Sequence, residues 1–244
     1  MKITFDRIAR FVAPLYALKD LNDSLQIIFG RTSCRAVVMD TAHVSVSFVS
    51  WMCDGIVNDD VVVSIRLSNL LTALQLARDS MDSFSLELES VGADTMTLVM
   101  DDGDTTVQLR LVDSDLDMMD TPPFDNATEC VFDTSRLREV CKELSLLGDT
   151  VTFQCDGSNL ILHASGDIGN AKITLRPISI VNPAVVGPLA VSLRYMNSVL
   201  KAYTVSSRVG VSFLDSMPLR VHLASDDVTM ESYIAPKIQD DDTE

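Results

Sequence analysis

Residues 134–155 read TSRLREVCKELSLLGDTVTFQC, and within this stretch the spacing of the apolar residues changes. Leu137, Val140, Cys141 and Leu144 recur every three or four positions, which is the stripe of an amphipathic helix. Ser135 stands where an N-cap belongs, and Gly148 follows the end. From Val151 the pattern alternates: Val151, Phe153 and Cys155 face one way, Thr152 and Gln154 the other. That is a half-buried antiparallel strand. A helix running straight into an alternating strand points to an α+β fold, with helices and antiparallel sheets sharing one core.

The same pair of patterns recurs along the chain. Alternating segments include Phe84 to Glu89, Val107 to Leu111, Ile173 to Leu175 and Val209 to Phe213, separated by turn-forming runs such as Asp156-Gly157-Ser158. Helical windows fall at 6–21, 67–79, 134–146 and 193–204, the first carrying Pro14 well inside it, where proline should kink or shorten a helix. Helices spaced by about 60 residues within each half make the chain two copies of one α+β unit of about 115 residues. The expected division is 1–112, a linker at 113–126, 127–238, and an acidic disordered tail at 239–244. The linker, DSDLDMMDTPPFDN, combines aspartates with two adjacent prolines and has no period.

Charge is unevenly placed. The 19 Lys and Arg against 35 Asp and Glu give a net charge of −16, so the molecule as a whole repels nucleic acid and anionic lipid. Yet Arg7, Arg10, Lys19, Arg78, Arg136, Arg138, Lys142, Arg194 and Lys201 all lie in the helical windows, which hold only Asp6, Asp20, Asp79, Glu139 and Glu143 among the acids. Helix propensity favours Glu as much as Lys or Arg. Cations gathered on helices of an acidic protein therefore suggest that the helices face something negative.

The chemistry of an enzyme is thin. His43, His163 and His222 are too scattered to form a metal cluster, and there is no phosphate-binding glycine loop. Asp113, Asp115 and Asp117 begin like a calcium loop, but Met118 and Phe124 stand where glycine and glutamate are needed. Neither metal nor cofactor is expected, and no catalytic residue is assigned. Asp40 and His43 offer an orienter and a base, which keeps a hydrolytic or small-molecule-binding α+β enzyme as the alternative. Five cysteines with no C-x-x-C spacing predict free, mostly buried thiols in a reducing compartment. No leader and no membrane-spanning run is expected.

Several segments carry a resemblance: VVMDTAHVSVSFV (37–49), KELSLLGDTVTFQC (142–155), SGDIGNAKITL (165–175), LRYMNSVLKA (193–202) and ESYIAPKI (231–238). In this order they resemble the proliferating cell nuclear antigen family of DNA sliding clamps, of eukaryotic or large-DNA-virus type. The resemblance implies two similar clamp domains, antiparallel sheets outside, and four helices lining a ring. It implies a homotrimer that encircles duplex DNA without reading sequence and serves as a processivity factor in replication and repair. The implied location is the nucleus or a viral replication site. A subunit of a heterotrimeric clamp, of checkpoint or archaeal type, is the nearest alternative.

Carried over by resemblance, the DNA-facing residues are Arg10, Lys19, Arg78, Arg136, Arg138, Lys142 and Lys201. Ala13, Thr72, Gln75 and Glu139 depart from the family's usual basic residues. Neighbouring subunits would pair strands at about 105–112 and 171–178, through Val107, Leu109, Leu111, Lys172, Ile173 and Leu175. DNA polymerase, clamp loader, flap nuclease and ligase would insert short aliphatic and aromatic motifs into a pocket. Its walls are Met39, His43, Val44 and Val46, linker residues Met119, Thr121 and Pro122, and then Pro218, Ala235, Pro236 and Ile238. Methionines suit a surface that accepts several clients.

Overall fold

The structure is a computed structural model, described here for residues 1–56, 60–76, 83–100, 103–113, 119–214 and 217–237. Arg78, Ile238, the tail and linker residues 114–118 lie outside the described residues. The first half runs β1 (Lys2–Asp6), α1 (Ile8–Leu18), β2 (Ser24–Phe29), β3 (Ser33–Met39), β4 (Ser45–Met52), β5 (Asp54–Ile56), β6 (Val61–Arg66), α2 (Leu67–Leu74), β7 (Ser83–Glu87), β8 (Thr95–Met100) and β9 (Thr105–Arg110). The second runs β10 (Thr128–Asp133), α3 (Thr134–Leu144), β11 (Thr150–Asp156), β12 (Leu160–Gly166), β13 (Gly169–Leu175), β14 (Ser179–Val181), β15 (Val185–Ser192), α4 (Leu193–Val199) with a 3-10 turn at Leu200–Ala202, β16 (Arg208–Phe213), β17 (Leu219–Ala224) and β18 (Val228–Ile234). Element for element, the second half repeats the first. The fold is α+β with antiparallel sheets, as the sequence periods indicate.

The pairing repeats as well. β1 lies between β5 and β7 as β10 lies between β14 and β16, and β2 between β3 and β6 as β11 between β12 and β15. One pairing has no counterpart within the chain. β18 pairs with β4, which fuses the halves into a nine-stranded sheet, β14-β10-β16-β17-β18-β4-β3-β2-β6. Ser47 and Ser232 meet across this seam, their buried hydroxyls 2.7 Å apart. The strands equivalent to β18 and β4 are β9 and β13. They end a five-stranded sheet, β5-β1-β7-β8-β9, and a four-stranded one, β13-β12-β11-β15, each with an open edge.

Two local expectations change, the cap of α3 and the end of the first edge strand, and the one for Pro14 holds. The cap of α3 is Asp133, whose carboxylate accepts from the Arg136 amide at 3.0 Å, and Ser135 lies inside the helix. α1 continues through Pro14, which is buried with Phe11, Leu15, Ala17 and Leu18. Packing of that face offsets the missing N–H, and the helix is shortened at both ends relative to its window. The edge strands are Thr105–Arg110 and Gly169–Leu175, so Leu111 lies just past β9, where its backbone bridges to Ile65.

Between the helices and the sheets one continuous apolar core spans both halves, from Ile3, Phe5 and Phe11 to Met230 and Ile234. Cys34, Cys130, Cys141 and Cys155 are free and buried, Cys53 is free and half-buried, as their sequence context suggests. Among the described residues no helix is long and apolar enough to cross a membrane.

Candidate functional site

The four helices form one layer across both halves. α1 packs against α2, α4 and the 3-10 turn, and α4 packs against α3. The Ser198 hydroxyl donates to the Ala17 carbonyl at 2.7 Å, which ties α4 to α1. The amphipathic stripes explain this: each helix buries its apolar face on the sheets and leaves its charged residues outside.

The layer carries Arg10, Lys19, Arg136, Arg138, Lys142 and Lys201 of the basic residues singled out by sequence, but it also supplies some of them with acids. Arg10 is ion-paired with Asp227 of the β17–β18 turn, and Lys201 with Asp20. Arg136 sits 3.7 Å from Glu139 one turn along α3, and the Arg138 guanidinium lies 4.3 Å from the Tyr203 ring centre. Lys19 and Lys142 form no ion pair among the described residues. The count of helix cations therefore overstates the uncompensated charge. The pairs are partly exposed, so they contribute little to stability and can be exchanged for phosphates.

The opposite, outward side carries the candidate client groove. The β3–β4 turn and the chain's last strand meet there: the Ala235 amide donates to the Val44 carbonyl at 2.8 Å, Met39 stands opposite Val46, and Val46 opposite Tyr233. Met39, Val44, Val46, Pro218 and Ala235 are half-buried, and His43 and Pro236 are exposed. The linker residues Met119 and Thr121 roof a recess of about 140 Å³ floored by Ile28, Val37 and Phe48, further along the sheet than the turn. Half-buried Pro122 leads from there towards Phe124.

Phe124 was not anticipated. Its ring lies 5.6 Å from that of Tyr233 and 5.8 Å from the Arg220 guanidinium, pinning the linker to the sheet. Arg220 in turn bonds Glu231 at 3.0 Å, and Glu231 accepts from the Tyr233 hydroxyl at 2.8 Å. The only sequence signal for this clasp is an aromatic at the end of an otherwise aromatic-free linker.

Asp40 and His43 do not form a base and its orienter. The Asp40 carboxylate accepts from the amides of Ala42, Val44 and Ser45 and from the Tyr195 hydroxyl, and His43 is turned out at φ 59°. Burial pushes the Asp40 pKa up. The bonds from Tyr195 and then the three amides outweigh it and hold the group below the ordinary aspartate range. The Asp156 carboxylate closes its own turn on the Ser158 and Asn159 amides at 2.8 and 2.6 Å.

A twice-repeated α+β chain with a helix layer on one side, sheets on the other and an open sheet edge at each of β9 and β13 has the architecture of a DNA clamp subunit. Residues 125–238 match the family model described as proliferating cell nuclear antigen, C-terminal domain. The chain is 27% identical over 248 residues to the proliferating cell nuclear antigen of Caenorhabditis elegans, covering 93% of this chain and 92% of that one. These likenesses, one over the second half and one over nearly the whole chain, support a sliding clamp of the proliferating cell nuclear antigen type.

Proposed function

We propose that three copies of this chain close into a ring around duplex DNA, helix layer inward, and tether a DNA polymerase and other replication and repair proteins at the outward groove. Domains of 1–112 and 127–238 joined by the 113–126 linker are the units of this ring. The observation that carries the reading is the β4–β18 seam. Because β13 is equivalent to β4 and β9 to β18, the seam between halves is a template for a seam between subunits. The open sheets of five and four strands would then join into a second nine-stranded sheet with the same strand order.

Carrying the seam's register across the repeat sets Lys172 opposite Thr106, Asn170 opposite Gln108, Ala171 opposite Val107 and Gly169 opposite Leu109. The side chains are suited to this. Val107 and Ile173 are half-buried against the core and would be covered, whereas Leu109 and Leu175 are already buried and would extend the core to the seam. The contact is heterologous, so it closes only as a ring, and closure removes exposed edges that would otherwise recruit other strands. Inside the ring, Lys19, Lys142, Arg138, Lys201, Arg10 and Arg136 would contact phosphates non-specifically. Clients would enter the groove as short aliphatic and aromatic motifs, and the nucleus or a viral replication compartment is where such a scaffold works.

Light scattering of the purified chain tests this reading. The expected mass is three times 26.7 kDa. A single chain at every concentration would overturn the homotrimer and favour a ring completed by different subunits.

A further inference from the structure

The residues His43 and Val44 of the groove are carried on a short turn, and that turn is organised around one carboxylate. Asp40 is 3% exposed. Its Oδ1 accepts from the amides of Val44 at 2.7 Å and Ser45 at 2.6 Å. Its Oδ2 accepts from the Ala42 amide at 3.0 Å and from the Tyr195 hydroxyl at 2.7 Å. Three of these donors belong to the turn itself. The fourth comes from α4, a helix of the opposite layer, 155 residues away in sequence.

Among the described residues no cation pairs with Asp40, so its charge rests on neutral donors alone. Tyr195 is 6% exposed, which fixes where its hydroxyl can go. His43 is held at φ 59°, a backbone state that a residue other than glycine keeps only where its surroundings over-determine it. The turn's shape thus depends on the carboxylate, and the carboxylate's orientation on a hydroxyl from the helix layer.

We infer that Tyr195 is a positioning residue for client binding: from the helix layer it fixes the Asp40 carboxylate, and through it the backbone of the turn that presents His43 and Val44. This rests on the proposed reading of that turn as part of the client groove. Removing the hydroxyl leaves Oδ2 with the Ala42 amide alone and a buried charge short of one donor. The backbone of 42–45 then relaxes, and the groove loses its preset form.

The test compares wild type, Tyr195→Phe, Asp40→Asn and the double variant in three measurements: mass, amide exchange over 42–45, and affinity for a fluorescein-labelled synthetic peptide bearing one aliphatic and two aromatic anchors. Tyr195→Phe should bind the peptide on the order of tenfold more weakly. Its Val44 and Ser45 amides should exchange faster, while its mass stays that of wild type. In the Asp40→Asn background the tyrosine change should cost less, because the hydroxyl then meets a neutral amide and no longer a charge. Peptide affinity within twofold of wild type with unchanged exchange would overturn the inference, as would equal losses from Tyr195→Phe in both backgrounds. If wild type itself ignores the peptide, the client-groove reading fails, and the exchange measurement still decides whether Tyr195 holds the turn.

Discussion

If the proposed trimer forms, Lys172→Pro should leave a folded single chain, whereas Ala171→Pro, one residue away, should unfold the chain. The difference follows from which way each amide points. At the seam between halves the Ala235 amide bonds Val44, and the Met52 amide bonds Asp227, so even-numbered residues of β4 face β18. The Asp40 amide bonds the Ser45 carbonyl, so odd-numbered residues face β3. Transferred to β13, the Lys172 amide faces the open edge, and the Ala171 amide faces Ala164 of β12. On β9 the Leu111 amide bonds Asp94, which leaves Thr106, Gln108 and Arg110 turned to the open side. Proline at 172 therefore removes a ladder bond only from the subunit seam, at about 1 kcal/mol, and sets its ring against the incoming strand. A closed ring suffers this at each of its interfaces. Proline at 171 breaks the chain's own sheet instead. Light scattering reads the first effect and thermal unfolding the second; a Lys172→Pro protein that remains trimeric would remove β13 from the interface.

The second large effect is expected in the groove. Val44→Asp places a carboxylate beside the buried Asp40 charge, on a half-buried residue whose backbone already holds Ala235. A client that covers this position must bury an unpaired charge, which costs about 3 kcal/mol and corresponds to roughly 100-fold weaker binding. The ring should form normally, because β9 and β13 are untouched. Titration of the labelled peptide against the purified variant measures the loss, and wild-type affinity would exclude Val44 from the client surface.

The sequence carries the elements of this fold more clearly than their joins. The change of period at Gly148 marks a helix and a strand without ambiguity, and both are found as α3 and β11. The cap was misassigned because Asp133 and Ser135 are equally competent, and only the extended backbone at Asp133, φ −64° and ψ 127°, decides between them. Pro14 shows the same limit: its place inside a shortened α1 was legible, but the burial of the α1 face that lets the helix run through it is a tertiary effect. The β4–β18 seam has no local signal at all, since both strands alternate like any other.

The same limit governs the site. Clustered cations were visible, but their neutralisation was not, because Lys201 finds Asp20 181 residues away and Arg10 finds Asp227 217 residues away. Tyr195 reads as one more apolar residue of a helix until its hydroxyl is seen on Asp40. In physical terms, what the sequence conceals is contact between residues distant along the chain, and these are the contacts that set the charge of the helix layer and the shape of the groove.

In the proposed ring, DNA is held by encirclement and not by tight contact. This is tested most directly by loading the protein on a nicked circular plasmid, raising the salt until phosphate contacts are screened, and then cutting the circle once. Protein that stays on the intact circle through the salt step and leaves within the time of cutting is the expected result. Release by salt from the intact circle, or equal retention on circular and linear DNA, would contradict it.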